Sequence, residues 1–557
     1  MKRIDEIVGH ARRHTFSAGW WTHLGAPALL ALNAWIAWRL FRLSYPIQMG
    51  SVSGAFVSLV RYLRDHWREA DWWPIWHCGM PFENTYAPLL HALVATVSGV
   101  SSLEIGRAYH LTLALVYVIT PVTVFLLAWR LTGKRAVALA AGLTYSLISP
   151  SALIFPAIGR DLGGPFFARR LQALLVYGDS PHALALLLIP VVLLLVDRAR
   201  ARRTIAAFIF ASAATGALML SNIPGAIALG MALIAYCAAY GGFALVSGIC
   251  VGGYLLTARW NPPSTLLNTF SNTQWMEPAS RFDENRLAML AALDAAVAIT
   301  DRGLRRLSVR RSVAWAVLFT LVTGAVVCGN AWFGVTFIAQ PMRFHLVFEM
   351  ALTLAVALGL GEYVRLSRKA AIVAMLAMAP LIALQIHNYR TSARRLIQPI
   401  SIRQTSEYRV AAWLEAHAGG QRVLAPGSIA FWLNAFTDTP QVTGCCDQSI
   451  LVRPIKMAYY VIGSDDGAGD RAAEISIAWL QALGARYVVM TGPGSTETFH
   501  DIAHPDKFRG KLREAWSGGG DAIYEVPQRT GSLVHVIRLD ETVQTPPENG
   551  VKIEPLM

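Results

Sequence analysis

IGRAYHLTLALVYVITPVTVFLLAWRLTGKR, residues 105–135, decides what kind of protein this is. From Ala108 through Trp129 there is no Asp, Glu, Lys or Arg. A helix needs about 20 apolar residues to cross the hydrocarbon core, so this segment predicts a membrane span. Arg130, Lys134 and Arg135 follow at once, and short basic clusters mark the cytoplasmic side.

The same signal recurs on either side. Apolar segments lie at about 23–45, 137–155, 182–196 and 243–256, with two more flanking SNIPG at 221–225. Others cover 287–300, which carries Asp294 in its middle, a segment ending at Cys328, one running from Phe344 to Arg365, and 370–385. With 105–129 these make about eleven spans of membrane length. The composition agrees, with 54% hydrophobic and 15% charged residues and a mean hydropathy of +0.41. The 17 Trp and 17 Tyr suit two interfacial belts.

Net charge is +14, yet the basic residues cluster at the ends of apolar segments. No basic stripe interleaved with aromatics lies elsewhere, which argues against a nucleic-acid partner. Lys2, Arg3, Arg12 and Arg13 precede the first span and predict a cytoplasmic N-terminus. The polar, basic start and the long first apolar run read as a retained anchor, not a cleaved leader. SGAFVSLVRYLRDHW, residues 53–67, has one apolar face and predicts a helix lying on the membrane surface. The apolar run near 89–100 is short for a crossing. Treated as interfacial, it keeps Lys134, Arg135 and the arginines at 198–203 inside and sends the C-terminus outside.

Beyond about residue 388 the composition turns soluble. SEYRVAAWLEAHA and DRAAEISIAWLQALGA predict amphipathic helices, and QRVLAPG and RYVVMTGPG predict buried strands. DAIYEVP and SLVHVIRL read as a closing strand pair. The expected architecture is mainly α: a membrane domain at 1–390, with an outer loop at 46–102, and a soluble extracytoplasmic α/β domain at 391–557. TGPGST, residues 491–496, reads as a turn, since it matches no phosphate-loop pattern. The six cysteines form no CxxC pair: Cys237, Cys250 and Cys328 lie in apolar segments, Cys78 stands alone, and Cys445 and Cys446 are adjacent.

Three outer segments could carry chemistry. In 71–91, Trp73, Trp76 and Tyr86 could pack against sugar rings or lipid headgroups, with Glu83 as a base or metal ligand; an aromatic interfacial anchor explains the segment equally well. In VYGDSPHALALLLIP, Asp179 or Ser180 could cap the helix that Pro181 begins, and a cap can coexist with a catalytic role. Just upstream, Arg160, Arg169 and Arg170 could hold phosphate oxygens through their guanidinium forks. In AQPMRFHLVFEM, Arg343 and His345 begin a span and Glu349 lies about a turn or two deeper, where it could face a cavity or pair with Arg343.

Taken in order, Trp73-Pro74-Ile75-Trp76, Gly79-Met80-Pro81, Tyr86-Ala87-Pro88-Leu89, Gly178-Asp179-Ser180-Pro181-His182 and Pro341-Met342-Arg343-Phe344-His345 resemble the C-type (GT-C) membrane glycosyltransferases. The resemblance covers about 1–390 and is nearest to a bacterial multi-spanning branch with a soluble C-terminal domain. It implies sugar transfer from a polyprenyl-phosphate donor at the outer leaflet to a lipid, glycan or protein acceptor, in the bacterial inner membrane. It implies Glu83 and Asp179 as the catalytic carboxylates. Arg160, Arg343, His345 and His182 would bind the donor, and Trp73, Trp76 and Tyr86 would shape the site. The family's early acid acts as a general base or as ligand to a divalent metal, Mg or Mn, and no other cofactor is implied. That region here, 48–56, reads QMGSVSGAF and has no carboxylate; Asp65, Glu69, Asp71 and Glu83 are the nearest acids. A non-catalytic membrane scaffold or lipid- and glycan-binding protein is therefore a second reading. A transporter or flippase is a third, without the paired broken helices that would support it.

Overall fold

The computed structural model describes residues 20–68, 70–365, 367–533, 536, 538–541 and 550–552. Lys2, Arg3, Arg12, Arg13 and Glu69 lie outside the described residues. Five helices are long and apolar enough to cross a membrane: Ile105–Thr132, Ser180–Arg202, Ile223–Tyr240, Arg311–Phe333 and Pro341–Tyr363. Shorter apolar helices occupy Leu24–Ile36, Leu89–Ser101, Ile205–Met219 and Phe243–Thr257. The chain is a multi-pass membrane protein.

Among the described residues the count of about eleven is not reached by length and composition. The expected segment at 137–155 becomes the helix Arg135–Leu147 and two short helices, Pro150–Ile154 and Pro156–Leu162. Pro150 and Pro156 each open a new helix because proline cannot continue the hydrogen-bond ladder of the preceding one. The segment at 287–300 lies on Glu284–Arg306, where Asp294 faces out of the protein.

Buried polar groups lock the bundle. Asp197, near the end of Ser180–Arg202, takes Arg130 at 2.7 Å and the Tyr236 hydroxyl at 2.9 Å. Three spanning helices thus meet at one carboxylate, and a buried charge requires such partners. Glu349, 1% exposed, accepts hydrogen bonds from the Ser151 amide and hydroxyl, so it does not pair with Arg343.

The C-terminal region is a small α/β unit. Ahead of it in the chain, β1 (Trp72–Trp73) and β2 (Met80–Pro81) form a short antiparallel pair in the loop at 46–102. In the C-terminal sheet β3 (Arg422–Leu424) runs parallel to β4 (Ala485–Thr491), and β5 (Arg513–Gly518) and β6 (Asp521–Glu525) complete the order β3-β4-β6-β5. SLVHVIRL, expected to close the sheet, includes residues 534, 535 and 537, which lie outside the described residues. The hairpin partner of DAIYE is Arg513–Gly518, joined to it through the Gly519-Gly520 turn. Helices Ser406–His417, Gly427–Phe436, Arg453–Ser464 and Ala472–Ala482 surround the sheet.

This unit sits on the loop at 46–102. The helix Ser53–His66, expected to lie on the membrane surface with one apolar face, is buried all round over Ser53–Val60 and packs against Gly427–Phe436 and Leu89–Ser101. Trp432 lies so close that a Cβ on Gly54 would fall 2.5 Å from its ring, and its indole N–H donates to Met49 O at 2.8 Å. Arg61 pairs with Asp438 at 2.8 Å, and the Gln441 amide donates to Ile75 O at 2.7 Å.

Candidate functional site

A cavity of about 390 Å³ lies at this junction. Its membrane-side wall is formed by Val52, Phe56, Tyr86, Asp179 and Arg343; its other wall includes Asp447, Lys456, Tyr459 and Asp501 of the C-terminal region. The volume is that of a small-molecule pocket.

Asp179 occupies the N-cap position of Ser180–Arg202, but its side chain makes no capping hydrogen bond. Gly178 sets its place. With φ of +68°, and with Val52 and the Ser53 amide 2.6 and 3.0 Å from where a Cβ would stand, only glycine fits there. Among the described residues, the Asp179 carboxylate has no hydrogen-bond or ion-pair partner. The same holds for the exposed guanidinium of Arg343, which stands on the turn Pro341–Phe344 at the head of its helix. Tyr86 packs edge-on against Phe56, with ring centroids 5.1 Å apart, and burial raises its hydroxyl pKa. It remains a neutral donor.

The opposite wall is already paired. Lys456 holds Asp447, and the Tyr459 hydroxyl lies 3.4 Å from Asp501. Burial, and then the charge of Glu497, raise the Asp501 pKa. His77 also lines the cavity; burial lowers its pKa, and its Nε2 meets Cys445 O at 3.0 Å.

Asp179, Arg343 and Tyr86 thus converge, while the other candidates lie apart from the cavity wall. His345 is buried beneath Arg343, between Arg169 Nε at 3.1 Å and Met342 O at 2.7 Å. His182 is buried one turn into its helix, with Nδ1 3.5 Å from the Asn222 amide. Glu83 sits half-buried on the turn Phe82–Asn84, and Arg160 is exposed on Pro156–Leu162; neither lines the cavity. Trp73 and Trp76 are fully buried, ring against ring at 4.8 Å, and the Trp76 indole donates to Asn434 Oδ1 at 3.0 Å. The Trp76 ring seats the C-terminal region, and Trp73 backs it from within the loop.

Arg169 and Arg170 are committed to the protein. Arg169 bonds Asp161 at 2.6 Å. Arg170 lies over the rings of Tyr117 and Tyr145, 5.3 and 4.0 Å from their centroids. The carboxylates and lysine of the far wall escaped the sequence reading, since Asp447, Lys456 and Asp501 belong to no recognisable motif. Among the described residues no group of three or more His, Cys, Asp or Glu could hold a metal ion.

No protein-family model and no curated protein sequence matches the chain. Solved structures do. The Archaeoglobus fulgidus oligosaccharyltransferase tethered with an acceptor peptide matches with a TM-score of 0.52 at 12% identity, over 86% of this chain and 70% of that one. Its apo form gives 0.47 at 12% identity over the same shares. The mycobacterial arabinofuranosyltransferase AftD gives 0.48 at 15% identity, over 91% of this chain and 41% of that one. The chain therefore shares its overall fold with the Archaeoglobus fulgidus oligosaccharyltransferase.

Proposed function

We propose that the chain is an outer-leaflet glycosyltransferase that moves a sugar from a polyprenyl-phosphate donor to a hydroxyl of a lipid, glycan or protein acceptor. One observation carries the reading: an acid and a cation without protein partners among the described residues, Asp179 and Arg343, line the same cavity. Unpaired charges on helix ends in a membrane protein mark a ligand path by default.

In this mechanism the Asp179 carboxylate accepts the proton of the acceptor hydroxyl as its oxygen attacks the anomeric carbon. The new glycosidic bond forms while the bond from that carbon to the phosphate oxygen breaks. Negative charge grows on the departing phosphate, and the Arg343 guanidinium receives it through paired N–H donors. Lys456 faces the same space from the far wall. Among the described residues the acids form no metal-ligand set, and Arg343 is the cavity cation left to carry this charge. An apolar cleft of about 690 Å³, lined by Leu321, Trp332, Phe333 and Phe337, lies near the start of the loop that leads to Arg343 and suits the polyprenyl chain.

The reading goes with eleven crossings, a cytoplasmic N-terminus, and residues 391–557 outside a bacterial inner membrane. Reconstituted into liposomes with radiolabelled polyprenyl-phosphate monosaccharides and bacterial membrane lipids and glycans, the protein should release polyprenyl phosphate and label an acceptor. The absence of any acid in 48–56 favours the scaffold reading instead. Binding of polyprenyl phosphate without turnover of any donor in the panel would decide for the scaffold.

A further inference from the structure

Cys445 and Cys446 both line the cavity wall, on the C-terminal side that also carries Asp447. The Cys446 thiol donates to the Cys445 sulfur at 3.1 Å. Cys445 is 7% exposed, whereas Cys446 is half-open to the cavity. Their backbone is held from several directions. Cys445 O lies 3.0 Å from His77 Nε2, Cys446 O accepts from the Ser449 amide at 3.0 Å, and a Cβ on Gly444 would stand 2.5 Å from the Trp76 ring. Cys446 takes φ of +68°, a left-handed conformation uncommon for a residue with a side chain.

We infer that Cys445 and Cys446 form a reversible redox pair, closing to an eight-membered disulfide ring in the wall of the cavity. The sulfurs are already in contact, and a bond of about 2.05 Å needs them to close by only about 1 Å. Adjacent Cα atoms lie about 3.8 Å apart, short of the roughly 4.4–6.8 Å usual across a disulfide. Such a ring is strained, and strained disulfides are the readily reduced, regulatory ones. The oxidant is a disulfide-bearing thiol exchanger, a protein or oxidised glutathione. Cys446, open to the cavity, attacks its S–S bond as the thiolate and releases one thiol. The Cys445 sulfur then displaces the second thiol from the mixed disulfide. Two protons and two electrons pass from the pair to the oxidant, which leaves as two thiols.

The Cys445 hydrogen bond, followed by burial, holds the Cys446 thiol pKa well above its ordinary value, and Arg343 offsets part of this; the thiolate fraction is therefore small, and the exchange is slow and quickens as pH rises. Ring closure draws the Cys446 sulfur toward Cys445 and changes the wall of the cavity that Arg343 shares. An oxidising compartment for the pair follows from the outward C-terminal region of the proposed function. The pair's chemistry does not depend on transfer.

The test uses the full chain in nanodiscs, equilibrated with oxidised or reduced glutathione, quenched in acid, denatured, alkylated with N-ethylmaleimide and read by mass spectrometry. The peptide bearing both cysteines is expected to carry two alkyl groups after reduction. After oxidation it should carry none and weigh two hydrogens less than the dithiol, while Cys78, Cys237, Cys250 and Cys328 are alkylated in both samples. Two alkyl groups in both samples, or glutathione retained on the pair, would overturn the inference. In C445S, Cys446 should keep glutathione as a stable mixed disulfide; an unmodified Cys446 there would equally overturn it. Since the readout is a mass, failure of the transferase reading would leave this result standing.

Discussion

The two walls of the cavity are built on opposite principles. On the membrane side Asp179 and Arg343 stand at the ends of helices with no protein partner among the described residues. On the C-terminal side Lys456 is paired with Asp447, and Tyr459 with Asp501. Internal pairs fix the shape of a wall and spend their charge on each other. Unpaired charges keep theirs for a ligand, and they are tolerable only where a polar cavity solvates them. The membrane side should therefore govern chemistry and binding, and the C-terminal side the shape and stability of the enclosure.

The strongest way to break this contrast is Asp179→Asn. It should lower transfer by about 10²- to 10⁴-fold, the range of a lost general base, while affinity for polyprenyl phosphate is retained. Asp447→Asn is the control: if it costs more than Asp179→Asn, the roles of the walls are reversed. Next in size is Arg343→Gln. A hydrogen bond to a charged group contributes about 1.5–3 kcal/mol, so titration calorimetry should show polyprenyl phosphate binding weakened by roughly 10- to 100-fold. Unchanged affinity would remove Arg343 from the phosphate site.

A smaller effect should separate the walls by pH. The folded Asp501 has a raised pKa, so the folded state holds its proton more tightly than the unfolded chain does. Stability from this group is present below the unfolded value and is lost as pH rises through the folded one. Asp501→Asn should thus give a flatter dependence of Tm on pH across the carboxylate range and a slightly higher Tm at neutral pH. A steeper dependence would refute the assignment. Affinity for polyprenyl phosphate should be unaffected.

How much of this could be read in advance differs between the walls for a physical reason. The membrane character of 105–132 and the helical character of 53–66 are written in composition and periodicity, but that the C-terminal region would cover 53–66 is not. Asp179 and Arg343 stood out as charges at the heads of apolar segments whose other ends carry the basic clusters. Asp447, Lys456 and Asp501 are ordinary polar residues in a soluble region, brought to the cavity by tertiary packing alone. The aromatic loop misled for a different reason. A Trp that stacks on a sugar and one that seats a domain are chosen for the same broad apolar face, and only Asn434 and Gly444, far along the chain, reveal that Trp76 does the second. Likewise Arg513–Gly518, largely exposed, lacks the apolar alternation that marks a strand.

The smallest expected effect is the sharpest control on the acid. Glu83 is a carboxylate in the same outer loop as Tyr86, so neutralising it tests whether proximity in sequence suffices. Its neighbours are anchored without it: Asn84 accepts from the Thr265 hydroxyl at 2.6 Å, and Thr85 bonds back to Phe82 O at 2.7 Å. The Glu83 side chain itself has no hydrogen-bond or ion-pair partner among the described residues and stays outside the cavity lining. Surface substitutions away from any such feature fall within about ±0.5 kcal/mol. Glu83→Gln should then leave Tm, polyprenyl-phosphate affinity and transfer rate within about twofold of the parent. If instead transfer collapsed while binding held, the base would lie on the first outer loop. Asp179 would then be an unusually placed helix-end residue and nothing more.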